Sequence, residues 1–307
     1  MGRYLFSRLM GAAVTLFLVS LIVFWLLALA PGDPVQLMLM GQQSTPAAME
    51  QLRHQLGLDA PLHVQYLRFV VDALRGDLGR SWQSNEAVLK ELGRVFPATV
   101  ELSFWALLTA TTIGITVGII AGVRQYSFLD VATRSVVLLG VSVPIFWLGL
   151  MLISVFAVQL QWLPSSGRGD WKNLVLPVAS LATYSVAIIA RMARSCMLEV
   201  LRQDYIRTAR AKGLLERVVI YRHAFKNAII PIVTVVGLQL GYLLGGAILT
   251  ETVFAYPGLG WTMMNALFSR DYPLVRGGVL LMATVFIFVN LAVDILYAYL
   301  DPRIHYQ

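Results

Sequence analysis

The sequence predicts an all-α integral membrane protein with about six transmembrane helices. Two observations carry that expectation. Of 307 residues, 58% are hydrophobic and only 13% are charged, and the mean hydropathy is +0.70, more apolar surface than a soluble core can hide. The basic residues also gather in short segments between long apolar runs. The net charge of +7 therefore reads as membrane orientation rather than nucleic-acid binding, which sets basic residues beside stacking aromatics. The one cysteine, Cys196, excludes an intramolecular disulfide and a multi-cysteine metal site, and is read as packing.

Leu9 to Ala30 is uncharged; at about 1.5 Å per residue it reaches about 33 Å, enough for one crossing. Ala28 and Ala30 imitate a signal-peptidase site, but the run is too long for an h-region and Pro31 would follow the cut, so cleavage is not expected. Arg3 and Arg8 place the N-terminus in the cytoplasm. Pro31-Gly32-Asp33-Pro34 stops the helix. Residues 31–98 mix charge with amphipathic patches (Met49, Leu52, Leu56; Tyr66, Phe69, Val70, Leu74) and are expected to fold over the outer membrane face. His54 and His63 lack the spacing and companions of a metal site and are read as surface histidines.

Leu102 to Val123 is the second span, with Pro97 at its start and Glu101 at its outer boundary. Gly114, Gly118 and Gly122 recur every four residues and make a ridge that lets another helix approach closely. After the loop Arg124 to Asp130, Ser135 to Leu163 is longer than one crossing needs and contains Pro144. It reads as a single tilted or kinked helix bent near Val143, with a re-entrant pair as the alternative. Trp147 and Trp162 read as packing and interfacial anchors. Leu174 to Ala190 is the fourth span, bounded by Arg191 and Arg194. Ile232 to Phe254 is the fifth, opened by Pro231 and carrying a second ridge, Gly237, Gly241 and Gly245; the two ridges suggest close helix contacts inside the subunit, across a pore, or both. Glu251, at its outer end, either meets a cationic substrate group or is a hydrated boundary residue. In the last span, Gly277 to Leu300, Asn290 and Asp294 lie one helical turn apart and either stabilise an interface or line a path. Asp301-Pro302-Arg303 ends it. With both termini inside, 14 of the 24 Lys and Arg lie inside, and six of the outer ten fall in the long first loop, where the orientation rule is weak. The chain reads as one transmembrane domain over 1–307.

The polar stretch from Asp204 to Pro231 holds Arg207, Arg210, Lys212, Arg217, Arg222 and Lys226 between two apolar segments. Ala209 and Gly213 stand four apart, a small-residue surface on which another protein could sit; Gly213 breaks the helix, and Leu215, Val218, Val219, Arg222 and Phe225 restart a period near 3.6. Two short helices with a glycine elbow follow. This stretch resembles the EAA cytoplasmic loop of ABC-importer permeases, in the form found in the dipeptide, oligopeptide and nickel permease family. APGDP, LGLDAPLHVQYLRFV, GDLGRS, LGVSVPIFWLGL, WLPSSG, FAYPGLG, RDYP and the final DPRI resemble the same family, so the likeness covers nearly the whole chain. Arg207 and Thr208 stand where the general pattern has Glu and Ala, a departure that favours the peptide branch.

The resemblance implies a type I ABC-importer permease fold in a bacterial inner (cytoplasmic) membrane, with both termini cytoplasmic, an extracytoplasmic insertion at 31–98 where a solute-binding protein delivers substrate, and a cytoplasmic coupling loop at 199–228. Asp204, Tyr205, Arg207, Thr208, Ala209, Ala211, Lys212, Gly213, Arg222 and His223 are the coupling residues it implies. The implied partners are a second homologous permease subunit, two ATP-binding subunits and a periplasmic or lipid-anchored solute-binding protein. No GxxxxGK[ST], HExxH, GxSxG or CxxC occurs, so no enzyme is expected, and no cofactor or metal on this chain: ATP and Mg²⁺ belong to partner subunits. The expected substrate is a short peptide (dipeptide, oligopeptide or glutathione-like), with nickel or a metal chelate as the alternative.

Overall fold

A computed structural model describes residues 2–29, 35–36 and 45–300. Helices dominate: α1 (Gly2–Ala28), α2 (Pro46–Gln55), α3 (Leu62–Leu74), α4 (Val88–Val123), α5 (Phe128–Ser142), α6 (Ile145–Leu152, prolonged by a π-helical stretch Ile153–Gln159), α7 (Lys172–Leu201), α8 (Asp204–Ala211), the single turn α9 (Glu216–Val218, prolonged by the π-helical Val219–Phe225), α10 (Lys226–Val253), α11 (Leu259–Phe268) and α12 (Tyr272–Leu300). Among the described residues, five stretches are long and apolar enough to cross a membrane, and the bent pair α5 and α6 makes a sixth if it counts as one span. The helix stop at Pro31-Gly32-Asp33-Pro34 and the terminator at Asp301-Pro302-Arg303 lie outside the described residues. The chain divides into two compact units, Met1–Phe96 with Thr262–Ile287 and Pro97–Trp261 with Phe288–Gln307.

In the first unit, Thr45 caps α2 by accepting the Ala48 N–H, and Pro46 fills the first helical turn, where its missing donor costs nothing. The amphipathic patches of the long first loop form α2 and α3 as expected. Phe24 of α1 meets Tyr66 edge-on at 5.3 Å between ring centroids and stacks near Phe69, and the Arg276 guanidinium lies over both phenyl rings. Asp271 is buried and gathers the neighbouring turn. Its carboxylate accepts from the Ser81 hydroxyl, from the Trp82 N–H at 3.1 Å and from the Leu274 N–H at 3.3 Å, which ties GDLGRS to RDYP. Gly79 at φ +82° supplies the left-handed backbone that this turn needs.

The second unit is built on the seam between α4 and α7. A Cβ at Gly114 would stand 2.9 Å from Ile189 Cβ, one at Gly118 2.6 Å from the Ala190 carbonyl oxygen, and one at Gly122 2.8 Å from Met197 Cβ. The first glycine ridge therefore serves a contact inside the subunit. The second divides its labour: a Cβ at Gly237 would press on Val293 of α12 at 2.5 Å, Gly241 is buried, and Gly245 faces open space. Buried Leu181, Ile189, Ala193 and Met197 of α7, together with Ile232, Leu243 and Ala247 of α10, complete the core.

Several boundaries differ from the expected ones, and burial explains them. Helix α4 starts at Val88 rather than Leu102, with Pro97 inside it, because Val88, Leu92, Ala98 and Leu102 are all buried at near-helical spacing. Helix α7 runs on to Leu201 because Ala193 and Met197 sit beneath the glycine ridge. Pro231 does not open the fifth span: Ala224, Ala228 and Ile232 are buried four residues apart, and the helix passes through the proline at the loss of one backbone hydrogen bond. The third span is no single tilted helix. It begins at Phe128, capped by Ser127, and at Val143 the backbone turns extended before Pro144, leaving α5 and α6 at 103°. The break lies where the sequence placed it; its angle is far larger than a kink.

Gly118→Ala in the purified chain should lower the thermal midpoint by the equivalent of about 1–3 kcal/mol. Gly245→Ala, which meets nothing, should leave it unchanged or slightly raised. Equal midpoints for the two variants would remove the ridge from the α4 and α7 contact.

Candidate functional site

At one end of the second unit, α7 leads through Arg202 and Gln203 straight into α8. Ile206 and Ala209 of α8 are buried against a core that includes Val219, Ala224 and Ala228, whereas Asp204, Tyr205, Arg207, Thr208, Arg210, Ala211 and Lys212 are exposed. The Thr208 hydroxyl donates to the Asp204 carbonyl at 3.0 Å within the same helix. Lys212 caps the helix, and Gly213 follows at φ +74° with nothing within 4 Å of where a Cβ would stand. Glycine is required there by its left-handed backbone, the usual device for leaving a helix.

Ala209 and Gly213 therefore share no open face. Ala209 points into the subunit because the apolar positions of α8 are 206 and 209, and the surface left open is the polar one. His223 is half-buried and Arg222 exposed on the second arm. Two contacts outside the expected set hold the arms together. Arg210 pairs with Glu216 across the elbow through Nε at 3.1 Å and Nη2 at 2.7 Å, which holds its guanidinium above its ordinary pKa. The Asn227 amide donates to the Tyr205 hydroxyl at 3.0 Å and to the His223 carbonyl at 2.9 Å.

Asp130, in the first turn of α5, is fully buried and supports α7 close by. It accepts from Arg194 Nε at 2.6 Å and Nη2 at 3.0 Å, and from the Tyr126 N–H at 3.0 Å; Arg134 lies 3.4 Å away. Sequence reading passed over this clamp. Its one signal was a lone acid at a helix start in a loop whose other charge, Arg124, is basic.

At the far end of the α4 and α7 seam, Glu251 is fully buried rather than hydrated. Its Oε1 accepts the Thr99 hydroxyl at 2.6 Å and its Oε2 the Trp261 N–H at 3.0 Å, while Thr99 accepts the Leu259 N–H at 2.7 Å. The carboxylate holds the FAYPGLG turn on α4, in which Ala255 takes φ +43°, a conformation costly for a residue with a Cβ. It lies enclosed by its own chain, so it does not face a path.

Beside it, Glu101 accepts from Arg168 Nε at 3.0 Å and from the Tyr256 hydroxyl at 3.2 Å, at the edge of a 730 Å³ cavity walled by Trp105, Trp171 and Val178. Burial, and then the Glu101 carboxylate, push the Tyr256 phenol up to about 12; Glu101 likewise raises Arg168. Asn290 and Asp294 are half-buried on one side of α12, flanking the Val293 that packs on Gly237.

Residues 114–306 match the family described as binding-protein-dependent transport system inner membrane component, and residues 1–103 match its N-terminal part. The dipeptide transport system permease protein DppB of Alkalihalophilus pseudofirmus is 44% identical over the whole of both chains. The di/tripeptide transport system permease protein DppB of Pseudomonas aeruginosa is 45% identical over 98% of each. The glutathione transport system permease protein GsiC of Escherichia coli K12 is 41% identical over the whole of both. Among solved structures, an inward-facing conformation of the MetNI methionine ABC transporter matches with a TM-score of 0.56, covering 69% of this chain and 97% of that one at 20% identity, a likeness of fold alone.

Glu251→Ala should destabilise the purified chain by about 3 kcal/mol, since it strands the Thr99 hydroxyl and the Trp261 N–H. Glu251→Gln, which keeps an acceptor for one of them, should lie between. A melting midpoint unaffected by the alanine change would deny Glu251 this structural part.

Proposed function

Because the chain belongs to the family of binding-protein-dependent transport system inner membrane components, we propose that it forms half of the translocation pore of an ATP-driven importer for short peptides. Dipeptides, oligopeptides or glutathione-like peptides reach it from a solute-binding protein. The names of the full-length relatives support the substrate class, and the elbow from Asp204 to Phe225 supports the mode of drive. That elbow carries the reading: its apolar side is used up inside the subunit, its polar side is open, and α8 is joined to α7 by two residues.

One of two ATP-binding subunits, which hold ATP and Mg²⁺, docks on the open side of α8, where Arg207, Thr208, Ala211 and Lys212 meet it, with Arg222 on the second arm. A second homologous permease completes the pore. Both termini and the elbow face the cytoplasm of a bacterial inner membrane, and the Glu251 turn faces outward. ATP binding draws the motor subunits together; the elbow moves with them, and the Arg210–Glu216 and Tyr205–Asn227 contacts make it move as one piece. Helix α7 carries the displacement along the glycine seam to α4, and the pore alternates between inward-open and outward-open. The chain itself performs no bond chemistry in this scheme.

With the whole importer reconstituted in vesicles, Arg207→Glu combined with Arg222→Glu should cut ATP-driven dipeptide uptake by about tenfold or more, while the subunit still inserts and melts as before. Undiminished uptake would count decisively against docking on this surface.

A further inference from the structure

We propose that the pocket between α5 and α7 binds the phosphate of an anionic phospholipid, gripped by Arg134 and Arg191, with the acyl chains lying along the outer face of α5. This inference stands on the geometry of the two helices and is independent of the transported substrate.

The two helices touch at Gly140, where a Cβ would stand 3.4 Å from both Ala187 Cβ and Thr183 Cγ2. Nearer their α8 ends a gap of 280 Å³ opens, lined by Thr133, Arg134, Val137 and Leu138 on one side and by Arg191 and Arg194 on the other. Asp130 contacts two of its lining residues, Arg194 and Arg134. Both polar nitrogens of Arg194 that reach Asp130 are spent on that carboxylate, which also takes the Tyr126 N–H. Arg134 reaches the same Oδ2 only at 3.4 Å, and half of its side chain is exposed. Arg191 is exposed at the mouth. One carboxylate thus stands against three guanidinium groups, leaving two positive charges for an external anion. A guanidinium presents paired donors that match phosphate oxygens, so an anion with several oxygens fits best.

The surroundings select a lipid among phosphate-bearing ligands. Val136, Leu138 and Leu139 continue up α5 from the pocket, and each exposes more than 60% of its surface. Val131 is exposed as well. A cationic pocket flanked by exposed apolar side chains reproduces the order of a bilayer leaflet, headgroup and then hydrocarbon, and basic pockets between membrane helices take anionic headgroups for this reason. No aromatic ring lines the gap to stack a nucleotide base. A bound lipid would cover the charge excess and fill the α5 and α7 groove directly above the Asp130 clamp, bracing the helix that leads into the elbow.

The full chain, purified in detergent, is titrated with phosphatidylglycerol or with phosphatidylcholine of the same acyl chains, and bound lipid is counted by native mass spectrometry. Phosphatidylglycerol should be retained in preference, and Arg134→Ala with Arg191→Ala should weaken its retention by about tenfold. The corresponding lysine pair should retain more lipid than the alanine pair. Millimolar inorganic phosphate should leave the lipid in place. The proposal is overturned if phosphatidylcholine is held equally well, if the alanine pair binds phosphatidylglycerol like the parent, or if inorganic phosphate displaces it fully, which would make the pocket a site for free phosphate. Should the alanine pair also lower the melting midpoint, Arg191→Gln alone decides: its charge is at the mouth and outside the Asp130 clamp, and about a threefold weakening is expected, with no change overturning the site.

Discussion

Backbone contact between α4 and α7 is the constraint on which the second unit rests. Within a bilayer, burying apolar side chains against each other gains little, because lipid tails are equally apolar; helices associate where small residues let their backbones come close. Gly114, Gly118 and Gly122 provide that approach along two helical turns, and at Gly118 there is no room even for a methyl group. Other elements of the unit build on α7: α10 packs on it, and α5 meets it at Gly140.

Polar groups pin the seam at both ends. At one end Glu251 binds the turn after α10 to Thr99 of α4, and at the other Asp130 binds the start of α5 to Arg194 of α7. Each carboxyl group is fully buried with its oxygens engaged; Asp130 also faces the Arg194 guanidinium, the condition under which a buried charge is tolerable. The pairs supply what apolar packing in a membrane does not, a unique register of one helix against the next. They also tie α4 to the turn after α10 and α5 to α7.

Helix α8 shows how an exposed polar surface is separated from a core on eight residues. Ile206 and Ala209 are consumed inside, so the chemistry left exposed is that of Asp204, three basic side chains and two hydroxyls. Motif spacing alone points to the small residues as the contact surface, since alanine and glycine four apart look like a flat helical patch. Burial reverses that reading, because the helix ends at Ala211 and Gly213 is already outside it. In the same way Glu251 looks like an exposed acid at a helix boundary, and only the folding back of Leu259 to Trp261 encloses it.

Composition and apolar runs by themselves determined that this is a helical membrane protein, roughly where its crossings lie, that Val143 and Pro144 interrupt one of them, and that a polar elbow hinged at Gly213 separates two others. The family likeness, too, was legible in short motifs spread along nearly the whole chain. These features are local: run length, a proline ring or a missing Cβ acts on its own neighbours, whatever the rest of the chain does. Tertiary structure decided which helix each glycine ridge meets, how far α4, α7 and α10 extend past their apolar runs, the 103° turn between α5 and α6, the inward face of α8, and the partners of Asp130 and Glu251. Each of those depends on residues tens to more than a hundred positions apart being brought within a few ångströms, and periodicity along one helix carries no information about what stands opposite it.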